Sequence, residues 1–227
     1  MIVTRIERQK RHPRRVNVYL DGVFAFGLDE EVVVRHALRK GDTVDDAVHH
    51  ALLAAEEYAS ARQSALRYLS YRLRSEREIR SKLAEKEFAP ATIDRVAEAL
   101  RSSGMIDDRR FAAALVHDAR MRKPTGERLL RQQLLLKGIA RPLIDDVLAG
   151  ESAPEEERVA ALKAARAMLK KYRSSSKRSD AATQRSRLGQ FLARRGFGWS
   201  VITPVLRTLF GATEHDQEEN EDGITRL

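Results

Sequence analysis

Cations stand close together at several points of this chain: Arg14 beside Arg15, Lys170 beside Lys171 with Arg173 just beyond, and Arg194 beside Arg195. Arg72 and Arg74 add another cluster, one residue apart. Guanidinium and ammonium groups so placed hold phosphates, the chemistry of a polyanion surface. A structural role competes at most of them. Lys170, Lys171, Arg173, Arg194 and Arg195 fall at predicted helix ends, where the helix dipole alone favours positive charge. Arg72 and Arg74 can pack along their stems as readily as bind. Arg14 and Arg15 lie at a strand start near the turn around Pro13, where neither reason applies, and they are read as partner-facing.

The charge distribution points the same way. The chain carries 42 Lys and Arg against 33 Asp and Glu, a formal net charge of +9. Residues 151–211 hold 13 of those cations against 5 acids, whereas residues 212–227 hold 1 against 6. A basic stretch followed by an acidic one favours a polyanion partner over a merely solvated surface.

Catalytic constellations are missing. With no cysteine there is no disulfide, thiolate nucleophile or thiolate metal site. His12, His36, His49, His50, His117 and His215 form no HExxH pair, and His49 and His50 point about 100° apart on a helix. Gly196-Phe197-Gly198 lacks the strand context of a phosphate loop. Asp107-Asp108 and Asp145-Asp146 read as helix-start or polar-face carboxylates rather than acid–base pairs. No enzyme activity, metal or cofactor is expected. The start of the chain lacks an apolar signal core and no apolar run approaches the roughly 18 residues of a membrane span, so no membrane partner and a cytoplasmic location are expected.

The elements that must position these cations announce themselves through one apolar pattern written three times. Ile79, Leu83, Phe88, Ile93 and Val96 return 51 residues later as Leu130, Leu134, Ile139, Ile144 and Val147. They return after a further 58 as Leu188, Leu192, Phe197, Ile202 and Val205. Periods of this size signal tandem helical units that bury one face each. Local signals agree: Ser75-Glu76-Arg77-Glu78 is a capping box, Asp107-Asp108 opens a helix, and Gly138 and Gly196 end equivalent helices. The first helices are assigned inner faces at Ala65, Leu66, Leu69 and Leu73, at Phe111, Leu115 and Ala119, and at Val159, Leu162, Met168 and Leu169. Residues 1–50 differ: Val16, Val18 and Leu20 alternate before Asp21-Gly22, a hairpin signal. Ile2, Val3 and Ile6 supply a third strand, and a helix from Asp29 to about Arg39 follows.

The expected fold is therefore mostly α, with three tandem three-helix repeats forming an elongated curved body and a small N-terminal β-hairpin unit. The boundaries are 1–50 for the hairpin unit and 51–104, 105–150 and 151–211 for the repeats. Residues 212–227 form an acidic disordered tail, and the insertion from Ser174 to Asp180 is read as a flexible loop.

Arg72-Leu-Arg-Ser-Glu-Arg-Glu-Ile-Arg-Ser-Lys-Leu83, Gly104-Met-Ile-Asp-Asp-Arg-Arg-Phe-Ala112, Gly126 and Lys137-Gly-Ile139 closely resemble RecX, the family of bacterial regulators of the RecA recombinase. The stretch Val16 to Asp29 looks like an N-terminal extension found in some members. The resemblance covers roughly residues 1–210 and is weaker in repeat three, where Trp199 and the 174–180 insertion depart from it. It implies a protein of DNA repair and recombination, tied to the SOS response, that lies in the groove of the RecA–DNA filament. There it would limit filament growth, ATP hydrolysis and co-protease activity. The partners implied are the RecA filament and, weakly, single-stranded DNA or DNA within the filament, with the protein itself a monomer. A helical nucleic-acid-binding protein acting without RecA, such as a transcription regulator, is the alternative.

Overall fold

The computed structural model describes residues 1–151, 154–173 and 180–211, and the chain divides into two compact units, Met1–Asp107 and Asp108–Leu227. The first unit opens with a three-stranded antiparallel sheet in the order β1 (Val3–Arg8), β2 (Arg15–Leu20) and β3 (Val23–Asp29). Asp21 and Gly22 both have positive φ, 48° and 84°. That is the conformation a two-residue hairpin turn requires to match the strand twist. The alternation foreseen at Val16, Val18 and Leu20 places all three on the buried face, with Phe26 and Leu28 beside them. The outer edge of β1 is covered by the chain at 41–44: Gly41 N–H donates to Val3 O and Val44 N–H to Met1 O, both at 2.8 Å.

Helix α1 (Glu30–Arg35) is shorter than the helix to about Arg39 that the sequence suggests. Ala37 adopts φ 49°, which a right-handed helix does not admit, so the helix ends at Arg35, four residues before Arg39. Helix α2 (Asp46–Leu69) then spans 24 residues and serves two cores. Its Leu52 packs into the sheet core, and its Ala61 and Ala65 pack into the core of the first three-helix unit.

That unit is completed by α3 (Glu76–Ala84) and α4 (Pro90–Ser102). In the second unit of the chain, α5 (Asp108–Arg122), α6 (Glu127–Leu136) and α7 (Arg141–Glu151) form the next three-helix bundle. The last comprises α8 (Pro154–Arg173), α9 (Ala181–Arg194) and α10 (Trp199–Phe210). The fifteen positions of the threefold pattern are all buried except Phe88, which is half-buried. No strand occurs between 60 and 210 among the described residues.

The turn between the second and third helix of each bundle repeats bond for bond. Phe88 N–H donates to Leu83 O, Ile139 N–H to Leu134 O and Phe197 N–H to Leu192 O, each closing the six-residue ring of a Schellman turn. The residue that must enter the left-handed region is Gly138 (φ 81°) in one bundle and Gly196 (φ 86°) in the next. In the first bundle Glu87 (φ 63°) occupies that place, which the glycine-based reading did not anticipate.

Two assigned faces are corrected by the structure. Leu73 lies beyond the end of α2 and is 39% exposed, because the helix stops at Leu69. Val159 is 59% exposed; α8 instead turns Ala161, Ala164 and Ala165 inward. Three alanines at this spacing let α8 approach its neighbours closely, so small side chains define the face that a search for bulky ones missed. The 174–179 part of the expected loop and the tail 212–227 lie outside the described residues.

Gly126 and Gly196 meet backbone to backbone. Gly126 N–H donates to Arg195 O at 2.9 Å and Arg128 N–H to Gly196 O at 3.0 Å. A Cβ on Gly126 would lie 2.3 Å from Phe197 N, and one on Gly196 would lie 2.3 Å from Leu129 N. Gly126→Ala is expected to destabilise the full chain by about 3 kcal/mol, since backbone cannot move aside as a flexible side chain can. Gly150→Ala, where the added carbon meets nothing within 4 Å, is expected to be neutral or slightly stabilising. Chemical denaturation of the two variants beside the parent checks the contrast.

Candidate functional site

The candidate cations separate into those engaged within the fold and those facing solvent. Arg15 pairs with Glu56 at 2.8 Å and donates to Gly27 O at 3.2 Å, so this member of the Arg14-Arg15 pair clamps the sheet to α2. Arg72 donates to Glu78 at 2.9 Å, the same carboxylate that closes the capping box with Ser75. The Arg74 guanidinium lies 3.8 Å over the Tyr68 ring, and its buried Nε has no hydrogen-bond partner among the described residues. Arg195 sits 4.8 Å over Phe191 and donates to Pro124 O at 3.1 Å, beside the Gly126–Gly196 contact.

Arg14, Lys170 and Arg194 are exposed and make no ion pair among the described residues. Lys171 is exposed as well. Arg173 ends α8, and its side chain lies outside the described residues. Within one pair, then, the two members part company: Arg194 points to solvent while Arg195 binds the fold.

A second charge pattern had not been read in the sequence. Arg80 binds Glu76 at 2.7 Å and also Asp94; 51 residues on, Arg131 binds Glu127 at 2.8 Å and also Asp145. Asp94 and then Glu76 hold the Arg80 guanidinium pKa above its ordinary value, and Glu127 and then Asp145 do the same for Arg131. Asp146 pairs separately with Arg109, so the Asp145-Asp146 carboxylates answer two different arginines. In the third bundle the place of these arginines is taken by Gly189, against which the Trp199 ring packs. A carbon added at Gly189 would meet that ring at 3.6 Å.

Carboxylates from the first helices also cap neighbouring helix starts. Glu57 accepts from Ala89 N–H at 2.8 Å and from Thr92 at 2.9 Å, and Glu157 accepts from Glu127 N–H at 2.9 Å. Ala89 and Gly126 offer no side-chain cap of their own, so the orphan amides are satisfied from another helix.

An open cleft of about 480 Å³ lies between the end of α5 and the start of α8. Met121, Pro124 and Val159 line it, with Arg122, Lys123 and Lys163 nearby and Glu155 and Glu156 on the same wall. Its charges are mixed. Arg122 and Lys123 stand at the end of α5 and Lys163 within α8, so no local pattern in the sequence signals that they share one cleft. Among the described residues no group of His, Asp and Glu could hold a metal ion, and no helix is long and apolar enough to cross a membrane.

Four family models match the chain in order. They are the N-terminal domain of regulatory protein RecX over residues 1–45 and its first, second and third three-helix domains over 61–100, 107–148 and 160–206. The regulatory protein RecX of Levilactobacillus brevis is 37% identical, over 96% of this chain and 79% of its own. That of Clostridium acetobutylicum is 35% identical, over 92% and 96%. A crystal structure of regulatory protein RecX superposes with a TM-score of 0.74 at 32% identity, covering 90% of this chain and 98% of that one.

The separation within the Arg194-Arg195 pair is testable. Arg195→Ala is expected to lower the stability of the chain by about 1 kcal/mol, through the lost hydrogen bond and ring contact. Arg194→Ala is expected to leave stability unchanged and to flatten the dependence of log K on log salt for single-stranded DNA by about 0.7 if the residue contacts a phosphate. Denaturation curves and salt-series binding isotherms on both variants check this.

Proposed function

The chain belongs to the RecX family of regulatory proteins, and from that premise we propose that it modulates the RecA recombinase as an inhibitor. It binds in the groove of the RecA–DNA filament, bridges neighbouring RecA subunits, and limits filament growth, ATP hydrolysis and co-protease activity. It works as a monomer in the cytoplasm, without cofactor or metal. The observation that carries this reading is the ordered match of the four family segments across residues 1–206.

Within it, the solvent-facing cations Arg14, Lys170, Lys171 and Arg194 make weak, salt-sensitive contacts to single-stranded DNA or to DNA inside the filament. Arg15, Arg72, Arg74 and Arg195, which bond or pack within the fold, support the surfaces that carry them. The exposed cations also favour a second reading, a helical protein that binds nucleic acid without RecA, as a transcription regulator does. A titration of RecA ATPase on single-stranded DNA separates the two. Sub-stoichiometric protein is expected to suppress the ATPase; DNA binding with no effect on ATPase at any ratio would favour the second reading.

The acidic segment Glu214–Asp222, outside the described residues, is proposed to compete with DNA for the basic face of residues 151–211. A tethered segment acts at high effective concentration, so weak contacts suffice. Truncation after Gly211 is expected to tighten DNA binding at low salt. The effect should vanish at high salt, where screening shortens the reach of exposed charges to well under about 10 Å. Equal affinities at low salt would remove this role from the tail.

A further inference from the structure

The N-terminal sheet has two faces, and only one of them is accounted for by packing. Val3, Val16, Val18, Leu20, Phe26 and Leu28 fill the inner face. On the outer face, strand register aligns Arg5, Tyr19 and Phe24 across all three strands at one level. The Arg5 guanidinium lies 3.9 Å over the Tyr19 ring, and Tyr19 meets Phe24 edge to face with centroids 6.0 Å apart. A cross-strand aromatic pair of this kind stiffens a hairpin. That does not explain why Phe24 leaves 54% of its surface in water, or why Val23 beside it leaves 70%. Arg5 is open too, with its side chain 54% exposed.

From this level the outer face runs along β2 through Asn17, whose Oδ1 accepts from Gln9 at 2.8 Å, to Arg15. Four residues of strand span about 13 Å. At that far end the β1–β2 connection presents Lys10, Arg11 and Arg14, all exposed. Glu7 on the same face is answered by Arg5 at 3.3 Å, and Glu56 by Arg15 at 2.8 Å. The face thus offers the exposed Phe24 ring and the outer side of the Arg5 guanidinium at one end and, at the other, Lys10, Arg11 and Arg14, which make no ion pair among the described residues. Bases stack on aromatic rings and guanidinium planes, while their phosphates follow cations.

We propose that the outer face of the N-terminal sheet is a stacking platform for single-stranded DNA, with Phe24 and the Arg5 guanidinium, stacked on Tyr19, holding bases and Lys10, Arg11 and Arg14 holding the backbone. The choice of DNA as the strand rests on the function proposed above; the stacking surface itself needs no RecA. Unlike phosphate contacts, stacking on a neutral ring is insensitive to salt, which gives it a distinct signature.

The test uses the full chain without RecA and a 15-nucleotide oligo-dT carrying one 2-aminopurine, whose fluorescence reports stacking. The parent protein is expected to change that fluorescence on binding. Phe24→Leu, which keeps apolar bulk at an exposed site, is expected to weaken binding about tenfold with the salt slope unchanged. Arg5→Lys, which keeps the charge but removes the guanidinium plane, is expected to weaken it in the same direction. Circular dichroism confirms that each variant is folded. Parent-like affinity and fluorescence in both variants would overturn the proposal. So would equal binding of the same sequence as a duplex, whose bases are not free to stack, or tighter binding of the RNA counterpart. Because RecA is absent, such a failure leaves the ATPase test of the function untouched.

Discussion

Every bundle of this chain depends on one geometric requirement: two short helices must reverse direction within four or five residues while keeping five apolar side chains in one core. The Schellman turn meets it three times with the same bonds, from Phe88, Ile139 and Phe197 back to Leu83, Leu134 and Leu192. The bond donor is itself a core residue, so closing the turn and burying the side chain are one event. A left-handed residue just before it is the price of the reversal. Gly138 and Gly196 meet that need without a Cβ, whereas Glu87 carries the strain of an L side chain at φ 63°.

The same glycine has a second task in the third bundle. Gly196 ends α9 and also lets the backbone at Leu129 approach, with Gly126 doing the reciprocal service toward Phe197. Close approach and left-handed conformation are separate reasons for glycine, and at Gly196 both act at once. Arg195 is drawn into this contact because its carbonyl receives the Gly126 N–H and its guanidinium reaches Pro124 O. A charge that looks available for a partner is held inside by the geometry of its neighbours.

The repeats diverge where they stop needing the same surface. Two bundles carry an arginine between two carboxylates, a partly solvated arrangement whose contribution to stability is modest in water. The third has Gly189 and Trp199 in that place, exchanging a hydrated ion triad for ring packing. The places of the two carboxylates are taken there by Arg185 and Thr203, so neither acid of the triad is kept. Local charge and local packing change together.

The apolar register by itself determined the three bundles, because bulky residues in step over 51 and 58 positions have only one way to share a core. The hairpin was equally legible from Asp21-Gly22, since few turns fit a two-residue loop. Exposed strain at Glu87 and the alanine face of α8 were not legible, for the first breaks the residue rule and the second lacks bulk. Which cations face outward was likewise decided only by tertiary structure. Adjacent arginines have the same local environment in sequence, and their fates diverge through partners far along the chain: Glu56 for Arg15, Pro124 for Arg195, none for Arg14 or Arg194 among the described residues. Periodic burial is a local property of chain and solvent, whereas an ion pair or a carbonyl contact requires two distant segments to be brought together first.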